Sequence, residues 1–361
     1  MSKAATETVV QDVESEVGPN KDQLIQMLSY KRPARSDSEA VWIDTFIRPV
    51  GRQEGAKMFT DPYGNIWIYV GQSTTMFSCH TDSVHRIAGR QELYMDEAKG
   101  EIFKQDKEPL GADDAAGAFV MLYMIEQGVP GVYVFHRDEE TGGRGSSWIA
   151  DNWADRLEPI KRAVAFDRKG GTDVITHQAV GRCCSDSFAQ ALCDQLNQAE
   201  DSFMYMPSDG GVFTDTANYT HVVPECTNIS VGYANEHTQN ETLKVQHVLD
   251  LAKACCKVKW EELPVERDPS AFGGFESWFE SESWSGGSYA SSKSKRPAHR
   301  DALGELLDDW AQLTFQEQMS VLRSTEGQAR LIGALAEVVI SDPDAAYSLL
   351  DTLYEASSGH P

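Results

Sequence analysis

From about residue 57 onward, short apolar runs alternate with longer amphipathic stretches. The runs at 66–70, 75–79, 132–135, 163–166, 174–176 and 227–231 are short and rich in Val, Ile and Phe, and they predict strands. Between them, apolar positions recur every three or four residues and predict helices over 115–127, 146–153, 186–199 and 245–258. Strands alternating with helices imply an α/β fold, here a three-layer α/β/α sandwich around a mostly parallel, mixed central sheet. In such sheets functional sites gather beyond the carboxyl ends of the strands. The loops that follow the apolar runs are therefore where chemistry is expected. Upstream, residues 21–48 predict two short helices interrupted near Pro33, which lacks the N–H a continuing helix needs.

The pattern also divides the chain. Residues 1–19 are polar and acidic and read as a flexible leader, and 20–265 form the α/β domain. Residues 266–299 are rich in Ser and Gly and read as a linker. The aromatics Phe275, Trp278, Phe279 and Trp284 within it allow a docking motif as the other reading. In 300–361 helical periodicity returns. Leu303, Leu306, Leu307, Trp310 and Leu313 share one face, as do Leu331, Ile332, Leu335, Val338 and Val339. Asp342–Pro343 suits a helix start. This segment predicts a small acidic all-α module, a candidate surface for a protein partner.

Composition narrows the function. A formal charge of -24 lacks the basic footprint of a nucleic-acid binder. No uninterrupted apolar run approaches the ~18 residues that suggest a membrane span, and the leader has no apolar signal stretch. The seven cysteines are odd in number, include two adjacent pairs and show no CxxC spacing, which fits neither a disulfide framework nor a zinc finger. A reducing, cytoplasmic setting is expected.

Five motifs fall at predicted strand ends or in the loops after them. FSCHTD delivers His80 and Asp82, a spacing that suits a ligand whose second ring nitrogen is held by a carboxylate, or a structural histidine. LGADDAAG opens a helix with Asp113 and Asp114, adjacent acids that repel unless a cation or hydrogen bonds offset them; an N-cap pair is the alternative. VYVFHRDEETGGRGSS runs an apolar strand into Asp138, Glu139 and Glu140, where one acid can bind metal while its neighbour moves protons. AVAFDRKGG ends a strand in Asp167, and TNISVGYANEHTQNE follows one with His237. Together these imidazoles and carboxylates suit zinc-type cations, and a bridged pair needs one carboxylate serving both.

The order HxD, GADD…G, EE-T-G-x-x-G, D, then H resembles the co-catalytic di-zinc aminopeptidase and carboxypeptidase clan over roughly residues 57–259. The resemblance implies two divalent ions, zinc or else manganese or cobalt. It assigns Asp113 as the bridging ligand, His80 and Asp167 to one ion, and Glu140 and His237 to the other. It makes Glu139 the general base and acid, has Asp82 orient His80, and puts Asp114 across a cis peptide after Asp113. Only 33 positions separate His80 from Asp113, and 70 separate Asp167 from His237. These spans are too short for the extra domains of the tetrahedral and peptidase-T-like branches, so the chain is most similar to the compact aminopeptidase-S-like branch, although FDRKGG resembles the others.

The expected activity is exopeptidase cleavage of short peptides, by an aminopeptidase or dipeptidase using a metal-bridged hydroxide. The alternatives are a same-fold amidohydrolase or deacylase acting on a non-peptide amide, and a metal-stabilised scaffold without activity. Arg137, Arg144, Arg168, Lys169 and Arg182 stand near the proposed ligands in sequence. They either offset carboxylates or bind substrate, with Arg168 and Arg182 the candidates for holding a substrate carboxylate.

Overall fold

The computed structural model describes residues 18–178 and 181–271. Its centre is a sheet of eight strands: β1 (Ala56–Thr60), β2 (Ile66–Val70), β3 (Thr75–His80), β4 (Gly131–His136), β5 (Arg162–Arg168), β6 (Asp173–Ile175), β7 (Met206–Ser208) and β8 (Glu225–Ser230). Their spatial order is β7-β6-β8-β5-β3-β4-β2-β1. The four central strands β8, β5, β3 and β4 are mutually parallel. Strands β2 and β6 run against them, which makes the sheet mixed.

The main helices are α1 (Lys21–Leu28), α2 (Asp37–Trp42), α3 (Ala112–Glu126), α4 (Arg144–Asn152), α5 (Asp186–Ala199) and α6 (Val245–Cys255). Alternate residues of the strands feed two separate cores. Phe77, Tyr133, Phe135 and Phe166 face α1, α3, α5 and α6 through Leu24, Phe119, Leu192 and Leu251. Met76, Val132, Val134 and Ala163 face the other way, onto Ile149, Leu157, Tyr219 and Val223. Every residue of β3 and β4 is buried. Covering on both faces is why their sequences read as continuous apolar runs rather than alternating ones.

Helix α3 lies deepest, with almost all of its residues buried. Its approach to the sheet depends on Gly117, where a Cβ would stand 2.0 Å from the Phe166 carbonyl oxygen. No other residue type allows that contact.

The N-terminal region departs from two simple helices. Helix α1 ends at Leu28, Pro33 lies in the connection, and α2 runs on through a π-helical turn at Ile43–Ile47 into Arg48–Val50. Strand β7 carries a proline, which an edge position tolerates. A second, four-stranded sheet pairs Tyr94–Asp96, Glu101–Phe103, Thr242–Lys244 and Tyr233–Ala234. Packing continues past residue 265. The Glu225 carboxylate accepts the N–H groups of Glu266 and Arg267, and the Arg267 guanidinium donates to the carbonyls of Thr220, Val223 and Pro224.

All seven cysteines are free and six are buried. Among the described residues no helix is long and apolar enough to cross a membrane. The leader up to residue 17, most of the 266–299 linker and the 300–361 module lie outside the described residues.

Candidate metal centre

Strands β3, β4 and β5 are neighbours, and their carboxyl ends set His80, the turn 138–140 and Asp167 side by side. Asp113 enters from the start of α3 and His237 from the loop beyond β8. Asp113 (φ -77°, ψ 104°) and Asp114 (φ -118°, ψ 46°) sit outside helical geometry, joined by a cis peptide bond. The Asp113 side chain lies between the two imidazoles.

The two oxygens of Asp113 face different histidines. Oδ1 lies 2.9 Å from His80 Nε2, and Oδ2 lies 3.1 Å from His237 Nε2. His80 Nε2 is also 3.5 Å from Asp167 Oδ1, and His237 Nε2 is 3.0 Å from Glu140 Oε2. The result is two candidate half-sites, His80 with Asp167 and His237 with Glu140, each facing one oxygen of the same carboxylate. Candidate ligand atoms of His80, Asp113 and Glu140 lie within 4.8 Å of one another, as do those of His80, Asp114 and Asp167. The halves differ in exposure: the His80 side chain is 1% exposed and that of His237 50%.

Around these side chains stands a second set that fixes them. Asp167 accepts a hydrogen bond from Thr214 Oγ1 at 2.6 Å and one from the Tyr233 hydroxyl at 3.2 Å. Asp114 accepts the backbone N–H of Gly117 at 2.9 Å and of His80 at 3.3 Å. Asp82 holds more than His80. His80 Nδ1 lies 3.1 Å from the Asp82 backbone carbonyl and 3.6 Å from its carboxylate. That carboxylate instead accepts the N–H groups of Glu139 and Glu140 at 3.1 and 3.2 Å. One acid thus ties the strand that ends in His80 to the turn that carries both glutamates. Asp138, at φ +62°, opens that turn and is clamped by Arg35 and Tyr63 at 2.7 and 2.6 Å.

Two further residues brace the GADD turn. Glu241 accepts the backbone N–H groups of Gly111, Ala112 and Asp113 at 3.0, 2.7 and 3.2 Å. Buried Arg32 donates to the carbonyls of Thr81 and Gly111 at 3.0 and 3.1 Å. Arg32 stands in no motif, and Glu241 closes the motif of His237 without a role read for it there. Their only sequence signal is a charge within stretches that otherwise predict a helix break or a loop.

Charge explains what such a cluster requires. Burial pushes the pKa values of Glu139 and Asp114 well above the ordinary carboxylate range, and raises those of Glu140 and Asp167. Hydrogen bonds to Asp113 and Glu140 raise His237 to about 11. Burial alone would depress His80, but Asp113 and Asp167 outweigh it and hold its pKa well above the usual imidazole value. Glu140 Oε1 is buried without a hydrogen-bond partner. Crowded buried acids, an unpartnered oxygen and two imidazoles form a donor set able to hold a metal ion.

No protein-family model matches the sequence, and no curated protein does. Solved structures do match. Aminopeptidase PepT from Bacillus cereus superposes with a TM-score of 0.52 at 15% identity, over 66% of this chain and 97% of that one. A tripeptidase from Staphylococcus aureus gives 0.55 at 13%, over 66% and 97%. The TET1 peptidase of Pyrococcus horikoshii, which can assemble into a tetrahedron or a large octahedral shell, gives 0.50 at 12%, over 66% and 99%.

The chain has the fold of these peptidases. Within that peptidase fold, the stretch between His80 and Asp113 holds only short strands and their connections, with no inserted domain. The cleft over the centre is lined by Asp113, Glu139, Asp167 and His237, and its wall includes Arg168 and Lys169. Arg168 directs two N–H groups at Asp173, both at 3.1 Å, and Lys169 pairs with Glu236 at 2.7 Å. Arg182 lies outside this lining and pairs with Asp186 at 2.7 Å. Arg137 pairs with buried Glu39 at 2.6 Å, and Arg144 opens α4 on the surface. Both cations proposed for a substrate carboxylate therefore already have carboxylate partners of their own.

Proposed function

We propose that this protein is a metal-dependent exopeptidase that removes the terminal residue of short peptides from the amino end. The observation that carries the reading is Asp113, whose two oxygens address His80 and His237 separately. A mononuclear or purely structural site has no need of that division. His80 and Asp167 would hold one ion, Glu140 and His237 the other, and Asp113 both, with zinc best suited to the ligands. When bound, the ions supply Lewis acidity that polarises a carbonyl and makes water a nucleophile near neutral pH.

The chain's own groups do the rest. Glu139 lines the same cleft without belonging to either half-site. Its burial raises its pKa, which suits a carboxylate that takes a proton from the attacking water and returns it to the leaving amine. Asp82 keeps Glu139 in reach by holding its backbone N–H. The free thiols fit a reducing compartment such as the cytoplasm.

The test is hydrolysis of a panel of aminoacyl and dipeptide amides by the full chain, with zinc, manganese and cobalt added separately. Release of the amino-terminal residue is expected. Turnover of N-acylated amino acids alone would replace the peptidase with a deacylase.

A further inference from the structure

His237 is the least sheltered of the proposed ligands. Its side chain is half exposed, whereas none of the other four exceeds 9%. It rides a hairpin loop, 235–241, closed by the pairing of Ala234 with Thr242. Asn235 and His237 both take left-handed backbone, at φ +56° and +63°. Residues other than glycine keep that geometry mainly where their surroundings hold them in it.

Two acids of this loop reach out to the rest of the site. On one side Glu241 accepts the backbone N–H groups of Gly111, Ala112 and Asp113. On the other Glu236, the residue before His237, accepts a hydrogen bond from Lys169 Nζ at 2.7 Å. Lys169 stands two positions after Asp167, in the turn that leaves β5. That turn is itself fixed. Gly170 donates its N–H to the Tyr233 carbonyl at 2.7 Å, and Ser230 Oγ donates to the Lys169 carbonyl at 2.6 Å. The ion pair therefore ties the loop of one half-site to the strand end that carries a proposed ligand of the other. His237 is held between two anchors.

Both partners of the pair line the cleft, with half of the Lys169 side chain in solvent. A pair so exposed adds little to the stability of the fold. Its leverage is local. A ligand's apparent affinity is reduced by the fraction of protein in the binding-competent state, so a small bias on the loop passes directly into metal affinity. Charge alone argues the opposite way for one partner. An ammonium group near the centre repels a divalent ion, so any help that Lys169 gives to binding has to come from geometry.

We infer that the Lys169–Glu236 pair is a latch that holds the His237 loop in its ligating position and sets the affinity of the more exposed metal position. The latch rests on the two-ion reading above and adds what controls the occupancy of one of the ions.

The metal-free full chain is titrated with zinc as wild type, Lys169→Met, Glu236→Gln and the double variant Lys169→Glu/Glu236→Lys. Both single variants should weaken the weaker of the two zinc equivalents by about two- to fivefold, the range open to a partly exposed pair, and leave the tighter one unchanged. The reversed pair should recover part of the loss, and the gap between wild type and the single variants should narrow as salt screens the pair. Melting midpoints should stay at the wild-type value. Tighter binding by Lys169→Met would reduce the pair to plain electrostatics and overturn the latch. Unchanged affinity in both single variants, no recovery in the reversed pair, or a fall in midpoint that tracks the loss of affinity would overturn it as well, while leaving the two-ion centre intact. Fewer than two zinc ions bound by wild type would overturn the two-ion reading and the latch with it.

Discussion

Glu241 holds Asp113 by its main chain: Oε1 accepts the Asp113 N–H at 3.2 Å and the Ala112 N–H at 2.7 Å, while the Asp113 carboxylate stays directed at the two histidines. Glu241 lies four positions after His237. One side chain thereby joins the loop of the exposed histidine to the turn of the shared acid. Removing it should loosen both half-sites together. Glu241→Ala is expected to weaken zinc binding by about 10–100-fold, as loss of a ligand-orienting partner does. Glu241→Gln, which keeps an acceptor oxygen, should recover part of the loss. Titration of the metal-free chain with zinc measures both, and equal affinity in all three proteins would leave Glu241 a stabilising residue only.

Glu139→Gln separates binding from catalysis. The amide keeps the shape but cannot take a proton, so turnover should fall by about 10²–10⁴-fold with metal content unchanged. Metal analysis alongside kinetics checks it. A near-normal rate would remove Glu139 from proton transfer.

Asp113→Ala should be more severe, because both half-sites lose a ligand at once. Less than one ion per chain and no measurable turnover are expected. Two ions retained with high affinity would place the shared ligand elsewhere.

A pH effect is expected away from the centre. His85 is buried against Ser83 and Gln91, and burial lowers its pKa to about 4. The unfolded chain protonates it near the ordinary value of ~6.5. As pH falls below that value the unfolded state takes up the proton first, so the stability His85 contributes above it is lost progressively down to about 4. Other buried groups titrate over the same range, so the measurement is a difference. The stability advantage of wild type over His85→Gln, read from urea midpoints, should shrink between pH 7 and pH 4.5. A constant difference would show that the folded protein binds that proton as readily as the unfolded chain.

What the sequence made legible follows from burial. Strands β3 and β4 are covered on both faces, so their runs announce themselves, and the acids that follow stand out as charge at the end of an apolar stretch. His80, Glu140 and Asp167 were visible for that reason, Asp113 as one of two adjacent acids opening a helix and His237 in the loop after a strand run, and the structure brings all five together. Strand β7 was invisible because an exposed edge places no apolar demand on Met206–Ser208. Arg32, Thr214, Tyr233 and Glu241 were missed for a different cause. Each acts on a residue distant in the chain, 79 positions in the case of Arg32 and Gly111, and no local spacing encodes such a meeting.

The unequal exposure of His80 and His237 has a kinetic meaning. An ion beside His237 would meet solvent through a half-open imidazole, whereas one beside His80 would sit against a buried imidazole and be reached only through the cleft that Asp167 lines. Loss of metal to a chelator would then proceed in two stages, the outer position emptying faster than the inner one. Between the stages the protein would persist as a one-ion species, and a metal added at that point would refill the outer place first. Mixed-metal forms, with one element inside and another outside, would then depend on the order of addition, with no difference needed in what either place prefers.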